Sequence, residues 1–238
     1  MKFKLPRQII SQDINRIISR EMKRQKMPVY RVTKNHLKEL AAVSKAIEEN
    51  GLPSNLVCKK LPHNLGRGIF LHPDAKPILK GQLIGSYAGE ISLIVQNQYD
   101  DGSYAFTPLE DILLKKEEQL LFDKGSLFRP RRLYSLKVDA LKDGNFTRYI
   151  NHSDKPNVVA DVYKIPANSY GLAPALIEIF YVAKRTIHPG EQLLVSYEDG
   201  GESYWRFTEV KPFPMTPKTF TLTADLQIRV AKKLNGKA

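Results

Sequence analysis

Beyond about residue 55 the chain offers no apolar run longer than a β-strand. Segments 83–87, 136–138, 177–182 and 192–196 are each of strand length, and Gly, Pro or Asn residues bound them. This punctuation rules out a simple helical bundle or coiled coil, as do fifteen prolines and fourteen glycines in 238 residues. That length suits one mid-sized domain with extensions, or at most two small ones. Helical periodicity is confined to a few places. Ile10, Ile14, Ile17 and Ile18 predict an amphipathic helix over 8–26, ended by Pro28. Leu37, Leu40, Ala41, Ala46 and Ile47 predict a second, stopped by Asn50-Gly51-Leu52-Pro53. These two helices would either cap the core or mediate self-association. Leu113, Glu117, Leu120 and Leu121 predict an inserted helix over 109–122. In the tail, Pro212, Pro214 and Pro217 precede a strand-like alternation over 219–223. The expected class is α+β and β-rich, with a helical N-terminal flank.

Charge divides the chain differently from hydropathy. The formal charge is +12, of which residues 1–40 carry +8 and residues 206–238 carry +5, leaving −1 for the middle. Basic ends on a near-neutral core suggest contact with nucleic acid or with something bound to it. A near-neutral core also suits a site that must accept a basic peptide, because a strongly positive one would repel it. The single Cys58 excludes an intramolecular disulfide and any multi-cysteine zinc cage. The five histidines show no metal-ligand spacing, so no metal is expected. No run approaches a transmembrane span, and the charged N-terminus has no apolar stretch after it. A soluble protein without membrane association is expected.

The most unusual stretch is 143–157, Asp-Gly-Asn-Phe-Thr-Arg-Tyr-Ile-Asn-His-Ser-Asp-Lys-Pro-Asn. It places three Asn, a His, a Ser and an Arg around a few apolar residues. Such density of short polar side chains suits irregular backbone that must satisfy its hydrogen bonds locally. If buried, Asn151 and His152 need partners, which a ligand with amine, carboxylate and adenine edges could supply.

This run resembles the SET-domain motif of Gly-Asn, Arg, Asn-His-Ser and a later Pro-Asn. Two further blocks resemble that family in the expected order: Gly66-Arg67-Gly68-Ile69-Phe70 with Tyr87-Ala88-Gly89-Glu90 upstream, and Pro189-Gly190-Glu191-Gln192-Leu193 closing on Ser196-Tyr197 downstream. The resemblance covers roughly residues 63–205. It implies a SET-domain fold of short strands in small sheets with a knot-like cofactor segment. It also implies three parts: a basic helical flank at 1–54, a catalytic domain at 55–205 and a basic extension at 206–238.

The activity implied is S-adenosylmethionine-dependent methyl transfer to a protein lysine. By resemblance, Tyr197 lies beside the sulfonium and the target amine, where a phenol gives polar contact without being a strong competing nucleophile. Tyr87 is the second catalytic candidate, an aromatic wall for the lysine stem and ammonium. Gly66, Arg67, Gly68, Arg148, Asn151 and His152 are implied cofactor contacts, with carbonyls near Arg148 and Ile150 facing the methyl. Asn145 fits either the cofactor shell or a structural network, and Glu191 reads as structural.

The chain departs from many members in lacking flanking zinc cysteines. Trp205, with Tyr204 and Phe207, would then cover the adenine and the lysine channel, unless Trp205 is simply core. Val195 occupies the place where many members put the Phe or Tyr that limits methyl number. Tyr163, Tyr170 or Tyr181 could substitute. A compact, cysteine-poor chain with basic ends resembles the bacterial, chlamydial-like type. This implies a histone or histone-like basic substrate, nucleic-acid contact through the termini, and a cytoplasmic or, for a secreted effector, host-nuclear place of action. Competing readings are a non-catalytic SET-fold binding module and methylation of a non-chromatin protein.

Overall fold

The computed structural model describes residues 12–27, 30–96, 104–122, 127–165, 176–197 and 213–231. Helix α1 (Gln12–Arg24) leads through β1 (Tyr30–Arg31) to α2 (Lys34–Asn50). Thr33 caps α2 by accepting from the His36 N–H at 3.1 Å. Gly51, at φ +83°, ends it in the left-handed conformation that the Asn-Gly signal predicts. Strands β2 (Leu56–Lys60), β3 (Arg67–Leu71), β4 (Leu83–Ser86), β5 (Glu90–Val95) and β6 (Ala105–Leu113) follow. Next come α3 (Lys116–Phe122), β7 (Leu133–Asp139), a 3₁₀ turn at Phe146–Tyr149, and β8 (Asn151–His152). Strands β9 (Val158–Ile165), β10 (Leu176–Ala183), β11 (Leu194–Val195), β12 (Phe220–Leu222) and β13 (Ile228–Val230) complete the order.

These strands form small sheets, as the short apolar runs require. One is four-stranded in the order β1-β9-β10-β4, one is three-stranded in the order β5-β7-β6, and β2-β3, β8-β11 and β12-β13 are pairs. The main core lies where Ile69, Leu71, Ile84, Phe146, Ile150, Ile179, Leu193 and Val195 meet. A separate cluster of Leu61, Phe70, Leu194, Met215, Phe220 and Leu222 ties the C-terminal hairpin to β3 and β11.

The inserted helix is shorter than its periodicity predicts. Residues 109–113 belong to β6, and helix begins only at Lys116. Leu113, Leu120 and Leu121, on which the helical spacing rests, are all exposed, so that spacing marks no buried face. Residues 109–113 instead pair with β7, Leu109 facing Leu136 and Ile112 facing Tyr134, with a register shift on each side of Leu109.

The N-terminal helices cap the core. Ile17, Ile18 and Met22 of α1 are buried with Leu109, Ile112, Leu114, Tyr134 and Leu136 of the inserted sheet. Leu37 and Leu40 of α2 pack on the Leu83, Tyr163, Phe180 and Val182 face of the four-stranded sheet. Polar contacts fix α1 further. Arg20 Nη1 donates to both oxygens of buried Glu118 at 2.7 and 2.8 Å, and its Nε donates to Glu21 at 2.9 Å. Arg24 adds a 2.7 Å bond to Glu21.

Two buried side chains hold the irregular stretch together. Asn157 is fully buried, its Nδ2 donating to the Gln192 carbonyl at 2.9 Å and its Oδ1 accepting from the Leu194 N–H at 2.8 Å. Glu191 accepts from Arg185 at 2.8 and 3.2 Å and from the His188 N–H at 3.0 Å. Burial alone would raise the Glu191 pKa, but these donors outweigh it and the net shift is downward.

Asn157→Ala leaves two buried backbone groups unpaired. It is expected to lower the unfolding free energy by about 2–4 kcal/mol in urea denaturation. Glu191 stabilises the fold above the ordinary Glu pKa of about 4.3, and this contribution disappears as pH falls through its lowered folded value. The melting-temperature gap between wild type and Glu191→Gln should therefore be widest near neutrality and close below about pH 4.

Candidate functional site

The site forms where two distant segments run parallel. In the β8–β11 pair Asn151 lies opposite Leu194 and His152 opposite Val195, which places Tyr197 beside the start of the motif. The Tyr197 N–H donates to His152 Nδ1 at 3.1 Å, and its phenol donates to the Ile150 carbonyl at 3.1 Å. The residue is thus fixed at both ends while remaining 38% exposed, open to a reactant. Because His152 Nδ1 accepts, its ring proton belongs on Nε2, which faces Asp154 Oδ1 at 3.1 Å. Asn151 Nδ2 donates to the Arg67 carbonyl at 2.8 Å, joining β8 to the start of β3. Gly66, Arg67, Gly68, Asn151, His152 and Tyr197 therefore form one neighbourhood.

A cluster of packed aromatic rings adjoins it. The Tyr87 ring lies 5.8 Å from that of Tyr181 and 5.9 Å from that of Phe106. Burial pushes the Tyr181 phenol well above its ordinary pKa, and the nearby Tyr87 and Tyr197 phenols add to the shift, so it stays protonated. The Tyr87 phenol donates to the Tyr104 carbonyl at 2.5 Å, which also accepts from the Ala140 N–H at 2.9 Å. Both the Tyr87 and the Tyr197 phenol protons are thus directed at backbone carbonyls.

Other candidates go elsewhere. The Arg148 guanidinium lies 4.3 Å over the Tyr104 ring and 5.2 Å from the Tyr149 ring, and it donates to the Leu141 carbonyl at 2.9 Å. Asn145 is occupied structurally, accepting from Thr147 N at 3.0 Å and donating to the Ser86 carbonyl at 2.8 Å. Tyr163 stacks on Phe180 at 4.8 Å, on the face of β10 opposite Tyr181. Tyr181 is thus the one of the three tyrosines shown at the ring cluster. Tyr170, Tyr204, Trp205 and Phe207 lie outside the described residues.

The neighbourhood suits a zwitterionic, sulfonium-bearing cofactor. Gly66, at φ +73°, has open space where a Cβ would stand, so the β3 turn can be approached closely. The Asn151 amide nitrogen is engaged and its oxygen remains an acceptor. The Ile150 carbonyl is an oxygen acceptor, which favours a positive sulfur. Among the described residues no group of three or more His, Cys, Asp or Glu is placed to hold a metal. No described helix is long and apolar enough to cross a membrane.

The family match agrees with this arrangement. Residues 66–198, more than half of the chain, match the model of the SET domain, and the chain belongs to that family. Among solved structures, the ATXR5 SET domain in complex with dimethylated histone H3 is similar at 20% identity and TM-score 0.51, over 75% of this chain and 72% of that one. KRYPTONITE in complex with DNA, a histone H3 peptide and SAH is similar at 19% identity and TM-score 0.40, over 64% of this chain and 24% of that one. The polycomb repressive complex 2 of Chaetomium thermophilum matches at 24% identity and TM-score 0.41, over 65% of this chain and 16% of the other. This chain therefore spans only a fraction of the last two proteins.

The contact least visible in sequence is Tyr104, which acts on Tyr87 through its carbonyl, a group every residue has. Gly89 is the legible counterpart, because a Cβ there would stand 2.4 Å from the Asp139 carbonyl oxygen. Gly89→Ala should push the Tyr87 turn off β7. Thermal or chemical denaturation is expected to show a loss of about 1–3 kcal/mol.

Proposed function

We propose that the chain transfers a methyl group from S-adenosylmethionine to a lysine side chain of a basic, DNA-associated protein such as a histone or histone-like protein. The observation that carries this reading is that Asn151 bonds to the Gly66–Gly68 turn while the adjoining His152 holds Tyr197, close to the Tyr87–Tyr181 ring cluster. S-adenosylmethionine, when bound, supplies an electrophilic methyl group on a positively charged sulfur. Gly66–Gly68 and Asn151 bind its polar end, His152 positions Tyr197, and the Ile150 carbonyl with the Tyr197 phenol faces the reacting centre.

The target lysine would have to arrive as a neutral amine, since an ammonium has no lone pair. Burial among aromatic rings and a nearby positive charge both lower the lysine pKa from about 10.4. The proton leaves to water, and no dedicated base is required. Alignment then supplies much of the rate, up to ~7–11 kcal/mol in well-ordered cases. The near-neutral middle of the chain supports a basic substrate.

Labelled S-adenosylmethionine and histones provide the test. Tyr197→Phe, which removes only the hydroxyl held by Ile150, is expected to lower kcat on the order of 100-fold, the scale of a small misplacement, with a far smaller loss of cofactor affinity by calorimetry. Cofactor-binding protein that transfers nothing to basic proteins, or undiminished transfer by Tyr197→Phe, contradicts the reading. With Val195 too small to restrict methyl number, Tyr181 takes that role. Tyr181→Phe should shift the product toward more methyl groups per lysine, read by mass spectrometry.

A further inference from the structure

The inserted sheet has two chemically different ends. At one, Glu90 and Ala105 both lie opposite Asp139, next to Tyr104, whose carbonyl anchors Tyr87. At the other, Val95 pairs with Tyr134 and Leu113 with Leu133. Strand β7 spans Leu133–Asp139, so the ends are separated by roughly 20 Å at about 3.3 Å per residue.

The end remote from the ring cluster is basic. The turn entering β7 carries Arg129, Arg131 and Arg132, of which Arg129 and Arg131 are exposed. Gln119 of α3, buried behind it, clasps the turn: its Oε1 accepts from the Arg129 N–H at 3.1 Å, with a longer 3.5 Å contact from Nε2 to the Leu127 carbonyl. Lys115 and Lys116, at the start of α3, are also exposed. The adjacent Glu118 is matched by Arg20, which locks α1 and its exposed Lys23 onto the same lobe. Buried Glu21 is likewise matched by Arg20 and Arg24. Glu110, Asp111 and Glu117 remain exposed on this lobe, but the 127–133 turn contains no acid.

We propose that this end of the insert is a binding surface for nucleic-acid phosphates, contacted by Arg129, Arg131, Lys115 and Lys116. Guanidinium forks on a turn held by a buried side chain match phosphate oxygens in geometry as well as charge. The site is distinct from the basic chain termini and does not depend on the methyl-transfer reading. If that reading also holds, the insert acts as an arm that grips nucleic acid at one end while a protein bound to it offers a lysine at the other.

Fluorescence anisotropy of the full chain with a short duplex of arbitrary sequence, without cofactor and across salt concentrations, tests the proposal. Each phosphate contact contributes about 0.9 to the slope of log affinity against log salt. Arg129→Ala with Arg131→Ala should flatten that slope by about 1–2 and weaken binding at least several-fold, and Lys115→Ala with Lys116→Ala should act similarly. Melting temperature and any transfer to free peptide should not change. An unchanged slope and affinity in both pairs overturns the proposal. So does binding lost in Leu127→Ser but insensitive to salt, since Leu127 is 84% exposed and would then mark an apolar protein contact. Duplex binding by a chain inactive in methyl transfer would reject only the catalytic reading.

Discussion

The parallel pairing of β8 with β11 is the contact on which the site depends. Two residues on each strand bring Asn151 and His152 against Leu194 and Val195. So short a ladder cannot hold itself, and the surrounding polar groups make up the difference. Asn157 returns to bridge the Gln192 carbonyl and the Leu194 N–H, and the Ser153 N–H reaches the Val195 carbonyl at 2.9 Å. The Leu193 N–H to Ile69 carbonyl bond, at 2.8 Å, extends the assembly to β3, whose first residues belong to the Gly66–Gly68 turn. Loss of the pairing would separate Tyr197 from Ile150, and Asn151 from Arg67, together.

A second set of contacts ties the inserted sheet to this centre through Tyr104. Its φ of +63° is left-handed, a conformation that costs a residue other than glycine of order 1–3 kcal/mol. Several contacts offset that cost: the Tyr87 phenol and the Ala140 N–H on one carbonyl, and Arg148 stacked on the ring. The arginine of the motif thus acts across the fold, joining the motif to the insert. Helix α1 braces the same sheet through Arg20, so α1 and the insert form one lobe.

Much of this was legible in the residues themselves. Short apolar runs bounded by Gly, Pro and Asn gave a β-rich chain of small sheets, and the Asn50-Gly51 signal placed the end of α2. The helix expected over 109–122 was part strand, because the apolar spacing of Leu113, Leu120 and Leu121 marks exposed positions while pairing with β7 claims 109–113. The polar run 143–157 indicated irregular, self-satisfied backbone, and Asn145, Asn157 and His152 satisfy it in turn. That Tyr181 packs on Tyr87 while Tyr163 packs on Phe180 could not be read, since Phe180 and Tyr181 are neighbours on β10 that point to opposite faces.

The sequence by itself therefore determined the chemistry on offer: an ordered set of Gly66–Gly68, Asn151-His152 and Tyr197, a near-neutral middle, and no cysteine cage. Residue type and spacing carry that information directly. Only the tertiary structure decided which groups meet and which way their protons point. Tyr197 and Tyr87 both donate to backbone carbonyls, Ile150 and Tyr104, and a carbonyl leaves no trace in the identity of its residue. The same holds for charge. Lys23, Lys115, Lys116, Arg129 and Arg131 come from separate segments, and they share one lobe because α1 packs on the inserted sheet and Glu118 pairs with Arg20.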